Sequence, residues 1–252
     1  MIKQLPQYEK FYERLGLAEH PLGFFYSNEE PAPGKKPKEK GHTCMIGLLR
    51  QARQHGETVY FDEQHFGCEG GAYYLGFRPI PRPKIEYFLS CGIPGEMEGE
   101  RYIKTPEIAR EYFASLQPRK APAKYAIFKS LDKLTEKEKP EVIIFFAPPD
   151  VLSGLVVLTG YATESREAIR LPFSSGCGSI VTHPLKEAEK EKPQAILGMC
   201  DVSARPFVEE NVLTLAMPTK LFLELLNNQE ESFLITNSWK KVKERITKSK
   251  SS

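Results

Sequence analysis

The spacing of apolar positions changes several times along the chain, and each change predicts an element. Between residues 6 and 17, Tyr8, Phe11, Tyr12 and Leu15 recur near the helical period, which predicts an opening helix. Residues 21–26 are apolar and aromatic and read as a strand. Residues 27–42 are rich in Pro, Lys, Glu and Gly and are expected to form an exposed loop. Residues 43–55 return to an amphipathic helical pattern, with Thr43 as its expected cap and Gly56 as its stop. Residues 58–62 alternate as a strand does, and 68–77 read as a short helix or hairpin after a turn.

The pattern continues with Ile85, Tyr87 and Leu89, which alternate within a strand or short helix over residues 84–90. Thr105-Pro106-Glu107 starts a helix expected to reach about Leu116. Residues 125–129 form a strand, and residues 141–146 are a continuous apolar run of the kind buried on both faces. Asp150 is the expected cap of a helix running to Tyr161, and residues 176–181 open another. Residues 194–199 and 212–217 are expected strands; Pro218 starts a helix to Leu226, and helices around Trp239 close the chain. Strands and helices alternate without strict order and without a repeat of fixed period. The expectation is an α+β fold, a mixed β-sheet with flanking helices in one compact domain over residues 1–252, ending in a flexible tail over 247–252.

Charge changes this picture little. There are 35 basic and 33 acidic residues, for a net charge of +2, which lacks the electrostatic footprint of a nucleic-acid binder. The lysines at 35–40 and 240–250 read as a solvated loop and tail. No apolar leader core follows Met1 and no apolar run reaches the length of a membrane span, so neither nucleic acid nor membrane is an expected partner. The expected location is cytoplasmic, where thiols stay reduced, and the odd count of 5 cysteines argues against a pure disulfide framework.

The candidate chemistry lies in those cysteines. Cys68 stands in Gly67-Cys68-Glu69-Gly70-Gly71, Cys91 in Ser90-Cys91-Gly92 and Cys177 in Gly176-Cys177-Gly178. Glycine lets a backbone approach something closely, whereas a packing cysteine usually sits in an apolar run. Cys44 falls near a helix start, where it either gains thiolate character or packs sideways among Met45, Ile46 and Leu48. His65 and Glu69 flank Cys68 as an acid/base or ligand pair, so Cys68, His65 and Glu69 form a candidate catalytic set. Cys200 ends an expected strand, and Asp201 and Arg205 follow it, either as an anchor for an anionic ligand or as an ion pair that fixes a loop. No CxxC pair, HExxH motif, phosphate loop or dinucleotide fingerprint is present, so any metal site must be assembled from distant segments.

The order of these segments resembles an uncharacterised prokaryotic family, domain of unknown function 169. The resemblance rests on Pro21-Leu22-Gly23-Phe24, the cysteine-led stretch 44–53, Cys68-Glu69-Gly70-Gly71 with Leu75-Gly76, the apolar run 142–149, Cys177, the segment 201–205 and residues 213–226. It implies a single domain and favours Cys44, Cys68 and Cys177 as a set, but it implies no reaction.

Three functions are consistent with these residues. The first is a redox protein holding an iron–sulfur cluster or another thiolate-bound metal on Cys44, Cys68 and Cys177, with Cys200 (or Cys91) as fourth ligand. The second is an enzyme acting on a small-molecule substrate with Cys68 as nucleophile. The third is a ligand-binding module whose cysteines are inert.

Overall fold

The computed structural model describes residues 2, 5–39 and 42–250. Its centre is a strand that the sequence marks most strongly. β4 (Val142–Ala147) is buried at every position, and its side chains divide by parity: Val142, Ile144 and Phe146 face one apolar core, Ile143, Phe145 and Ala147 the other. A strand with both faces apolar requires covering layers on both sides, and helices supply them.

Around β4 lie β1 (Leu22–Ser27), β2 (Val59–Phe61), β3 (Tyr125–Ser130), β5 (Ile169–Arg170), β6 (Ala195–Gly198) and β7 (Leu213–Pro218), in the order β2-β3-β1-β4-β7-β6-β5. Neighbours are antiparallel except β5 and β6, which are parallel, so the sheet is mixed. The first half of the chain supplies β1–β3 and the second half β4–β7. The two halves meet where Leu22, Gly23 and Phe24 lie opposite Ile144, Ile143 and Val142. That seam is shorter than the β4–β7 pairing, in which all of 142–147 is matched to 213–218.

One face is covered by α1 (Pro6–Leu15), α6 (Pro149–Gly160), α9 (Thr219–Asn228) and α10 (Asn237–Lys250). Phe11 packs edge-on against Phe222, 5.4 Å between centroids, and Trp239 of α10 donates from Nε1 to the Arg14 carbonyl at 2.7 Å. The other face is covered by α2 (Met45–His55), α3 (Glu69–Tyr74), α7 (Gly176–Ile180) and α8 (Thr182–Ala188). Two further helices, α4 (Ile85–Phe88) and α5 (Pro106–Ser115), lie in the excursion between β2 and β3. The architecture is a single α+β domain, as the pattern of elements predicts. No helix among the described residues is long and apolar enough to cross a membrane.

Several local expectations are corrected. The cap of α2 is Cys44, because the Thr43 amide donates to the Gly67 carbonyl at 3.0 Å and holds Thr43 outside the helix. The cap of α6 is Pro148; with Pro149 opening the helix, Asp150 falls in the first turn and receives the Arg245 guanidinium. The stretch 84–90 is helical. Pro218 ends β7 and caps α9 rather than starting it. The loop 27–42 is not wholly exposed: Pro37 is buried and Lys35 bridges to Val59, with residues 40 and 41 outside the described set. Residues 247–250, expected as tail, continue α10, and 251–252 lie outside the described residues.

Candidate functional site

The three cysteines favoured as a set come together on the sheet face covered by α2, α3 and α7. Cys44 caps α2, Cys68 caps α3, and Cys177 is the second residue of α7. Thr43 pairs with Gly67 through the backbone, which lays the residue before Cys44 beside the residue before Cys68. Gly67 has φ of 76°, and a Cβ on it would stand 2.5 Å from the Thr43 carbonyl oxygen. At Gly71 a Cβ would meet both Cys68 Sγ at 3.2 Å and Met45 Cβ at 3.3 Å. At Gly176 it would meet Ile46 of α2 at 3.3 Å, Ala204 at 3.1 Å and Met199 at 3.0 Å. Gly67, Gly71 and Gly176 thus lie close to segments that bear another cysteine, whereas Gly70 stands in open space and Gly178 meets Ser174 and Tyr74.

The sulfurs sit in different settings. Cys177 is buried and Cys44 and Cys68 are half-buried, all within one apolar cluster. The Gly71 amide donates to Cys68 Sγ at 3.3 Å. Burial pushes the Cys177 thiol well above the ordinary thiol value, and the charges of Cys68, Cys44 and Asp201 push it further. Burial also raises Cys44; the amides of Gly47 and Ile46 oppose this, while Cys68 and Asp201 add to it. The three thiols are thus electrostatic neighbours, joined by a carboxylate. Burial and this mutual influence disfavour ionising Cys44 and Cys177.

The other candidates are placed differently. Cys91 and Cys200 are exposed. Asp201 accepts from the Gly176 amide through Oδ2 at 2.9 Å, and from the Ser203 amide and hydroxyl through Oδ1 at 3.0 and 2.7 Å. Arg205 does not pair with the Asp201 carboxylate: its guanidinium donates to the carbonyls of Val212, Glu209 and Glu210 and closes that loop. His65 is held by Asp62, Nδ1 to Oδ1 at 2.9 Å. Burial works to raise the Asp62 carboxyl, but the amides of Gln64 and His65 and the His65 ring outweigh it and hold it below the ordinary value. Glu69 is exposed at the first position of α3.

Asp62 and the loop turn at Met199 are contributions that the sequence reading missed. Met199 is a non-glycine residue with φ of 66°, directly after β6. An Asp three residues before a His is a recognisable spacing, whereas nothing in the local sequence marks Met199 for a left-handed turn.

The family model described as "Uncharacterised ArCR", domain of unknown function 169, matches residues 10–228. The chain belongs to this family. No curated protein and no solved structure matches it. All three clustered cysteines and Asp201 fall inside the matched region, so the domain of unknown function 169 carries the whole junction.

As placed, no three His, Cys, Asp or Glu side chains among the described residues could share one metal ion. A single tetrahedral ion with metal–sulfur bonds near 2.3 Å draws its sulfurs to within about 3.8 Å of each other.

Proposed function

We propose that this member of the domain of unknown function 169 binds an iron–sulfur cluster, or another thiolate-held metal, on Cys44, Cys68 and Cys177, and serves a redox role. The observation that carries the reading is convergence. Three cysteines far apart in sequence lie on segments that meet at one junction, where Gly67, with φ of 76°, leaves no room for a Cβ beside the Thr43 carbonyl and Gly71 and Gly176 pack closely against neighbouring side chains. Mere packing of three thiols does not call for Gly67 and Gly176 at those contacts; bringing three ligand-bearing segments together does.

The chemistry of the donors agrees. Soft thiolates select iron–sulfur clusters, zinc and copper(I), and a metal supplies the positive charge that three neighbouring thiols and a carboxylate lack. The test is protein purified without oxygen from cells competent in cluster assembly. It is expected to be brown and to contain iron and sulfide. Replacing Cys44, Cys68 or Cys177 singly by Ser is expected to weaken iron retention at least about 10-fold, the scale seen even for outer-shell changes. Colourless, iron-free wild-type protein refutes the reading.

One observation favours a second reading, an enzyme with a Cys68 nucleophile. His65, three residues before Cys68, is oriented by Asp62 in the way a general base is oriented by a carboxylate. In metal-free protein this reading expects Cys68 to be alkylated faster near neutral pH than a free thiol, and in His65→Ala no faster. Alkylation of wild-type Cys68 at the free-thiol rate eliminates it.

A further inference from the structure

We propose that the outer face of α6 is where two copies of this chain meet, with the two helices antiparallel about a two-fold axis at Val157. The proposal is independent of the thiolate reading above.

α6 is apolar on two sides. Val151, Leu152, Leu155 and Leu158 are buried in the core. On the opposite side Val156, Val157 and Tyr161 are exposed, Val157 at 53 %. A helix with one face in water ordinarily carries polar residues there. Apolar residues scattered singly over a surface are common, but these are not scattered. With exposed Ser153 and half-buried Gly160 they follow the i, i+3, i+4, i+7, i+8 spacing of a single helix face. Nothing within the chain requires Gly160. Its backbone is helical, and a Cβ on it would meet nothing within 4 Å. Helices disfavour glycine where alanine would fit, and a neighbour seated closely on the open side accounts for it.

The face is complementary to itself, and that selects a second copy as its occupant. Asp150, Ser153, Val157, Tyr161 and Glu164 lie along one line, evenly placed about Val157. Pairing two such lines antiparallel sets Val157 against Val157, and the large Tyr161 against the small Ser153. The charges are sorted in the same sense. Arg245 of α10 clasps Asp150 with Nε to Oδ2 at 2.7 Å, and Trp239 of α10 lies over Gly154. α10 therefore runs antiparallel to α6, and its exposed Lys241, Arg245 and Lys248 share a face that borders the start of α6. At the other end the Tyr161 hydroxyl donates to the Glu231 carbonyl at 3.1 Å, and Glu164, Glu167 and Glu231 are exposed. Glu244 and Arg166 are the exceptions, one at each end. A two-fold axis at Val157 brings the basic end of one copy to the acidic end of the other, an isologous contact with matched potentials.

Specific interfaces bury about 800 Å² on each partner, more than one helix face provides. The flanks on α10 and the 231–235 turn, where Ile235 is 61 % exposed, have to join the contact. The expected association is therefore reversible and dependent on concentration.

The test is sedimentation of the full chain at concentrations up to about 0.1 mM, high enough to populate a micromolar dimer. Wild type is expected to move from the 28.6 kDa of one chain toward twice that mass. Val157→Glu and Val157→Lys each set like charges against each other across the axis and are expected to weaken the dimer at least about 10-fold. Both residues suit a helix, and the position is exposed, so each variant is expected to keep the wild-type circular dichroism. An equimolar mixture of the two variants is expected to dimerise again, because only a contact of residue 157 with itself pairs Glu with Lys. Phe173→Asp, at an exposed apolar residue far along the chain from α6, is expected to leave the dimer intact. The proposal is overturned if wild type stays at the mass of one chain throughout, if both charged variants dimerise as wild type does, if their mixture stays monomeric, or if Phe173→Asp alone breaks the dimer. The mixture keeps the test decisive should either variant lose stability, because a damaged fold is not repaired by a second damaged copy.

Discussion

At the scale of single residues, the glycines beside Cys68 and Cys177 help set the positions of the thiols. Gly67 is the clearest case. It has φ of 76° and no room for a Cβ beside the Thr43 carbonyl. Gly67→Ala is expected to destabilise the fold by about 1–3 kcal/mol through backbone strain, with the close approach adding to it. It is also expected to part the Cys44 and Cys68 segments. Denaturant unfolding measures the first effect; iron content measures the second. The sequence made the cysteines and their glycine neighbours legible, because glycine next to cysteine is rarely a packing choice. It did not reveal what the glycines approach, since Thr43 and Gly67 meet only through the fold. It also left the Asp201–Arg205 spacing open to an ion pair, a pairing that i and i+4 residues make on a helix; here the Arg205 guanidinium turns to the carbonyls of Val212, Glu209 and Glu210 instead.

At the scale of elements, legibility follows length. β4, α1 and α5 span enough residues to show their period and match the expected positions to within two residues at either end. The one-turn helix α4 is too short to display 3.6-residue spacing, so Ile85, Tyr87 and Leu89 imitate a strand. β5 has only Ile169 and Arg170 and carries no pattern at all. Helix ends were misread where tertiary contacts choose the cap, as at Cys44. The pairing of α6 with α10 shows a constraint that helical pattern does not express. Gly154 of α6 lies under the Trp239 ring, where a Cβ would stand 2.4 Å from the indole. Gly154→Ala is therefore expected to cost about 1–3 kcal/mol by overpacking. Calorimetry measures that loss, and a compensating Gly154→Ala, Trp239→Leu double variant, which removes the clash, is expected to cost less than the sum of its parts.

At the scale of the whole molecule, buried ionisable groups set the pH range of stability. Burial of His183, with the charges of Arg170 and Lys186 nearby and Glu187 opposing them, brings its imidazole from 6.5 down to about 4. The unfolded chain therefore binds the proton first, and stability falls as pH drops from about 6.5 to about 4. Cys177 works on the alkaline side. Its folded form keeps the proton while the unfolded thiol loses it, so stability of the metal-free protein falls as pH rises past the ordinary thiol value of about 9. Thermal midpoints across pH are expected to form a plateau between these limits. His183→Leu should flatten the acid limb, and Cys177→Ala should reduce the alkaline one. The arrangement of the sheet has a consequence of another kind. Cys44 and Cys68 belong to the half of the chain that builds β1–β3, and Cys177 and Asp201 to the half that builds β4–β7, with only Leu22–Phe24 opposite Val142–Ile144 across the strands between them. Anything bound to all of these groups rivets the two halves together. It is assembled only after the later half has left the ribosome, and its removal leaves the two halves joined at that seam by the sheet alone.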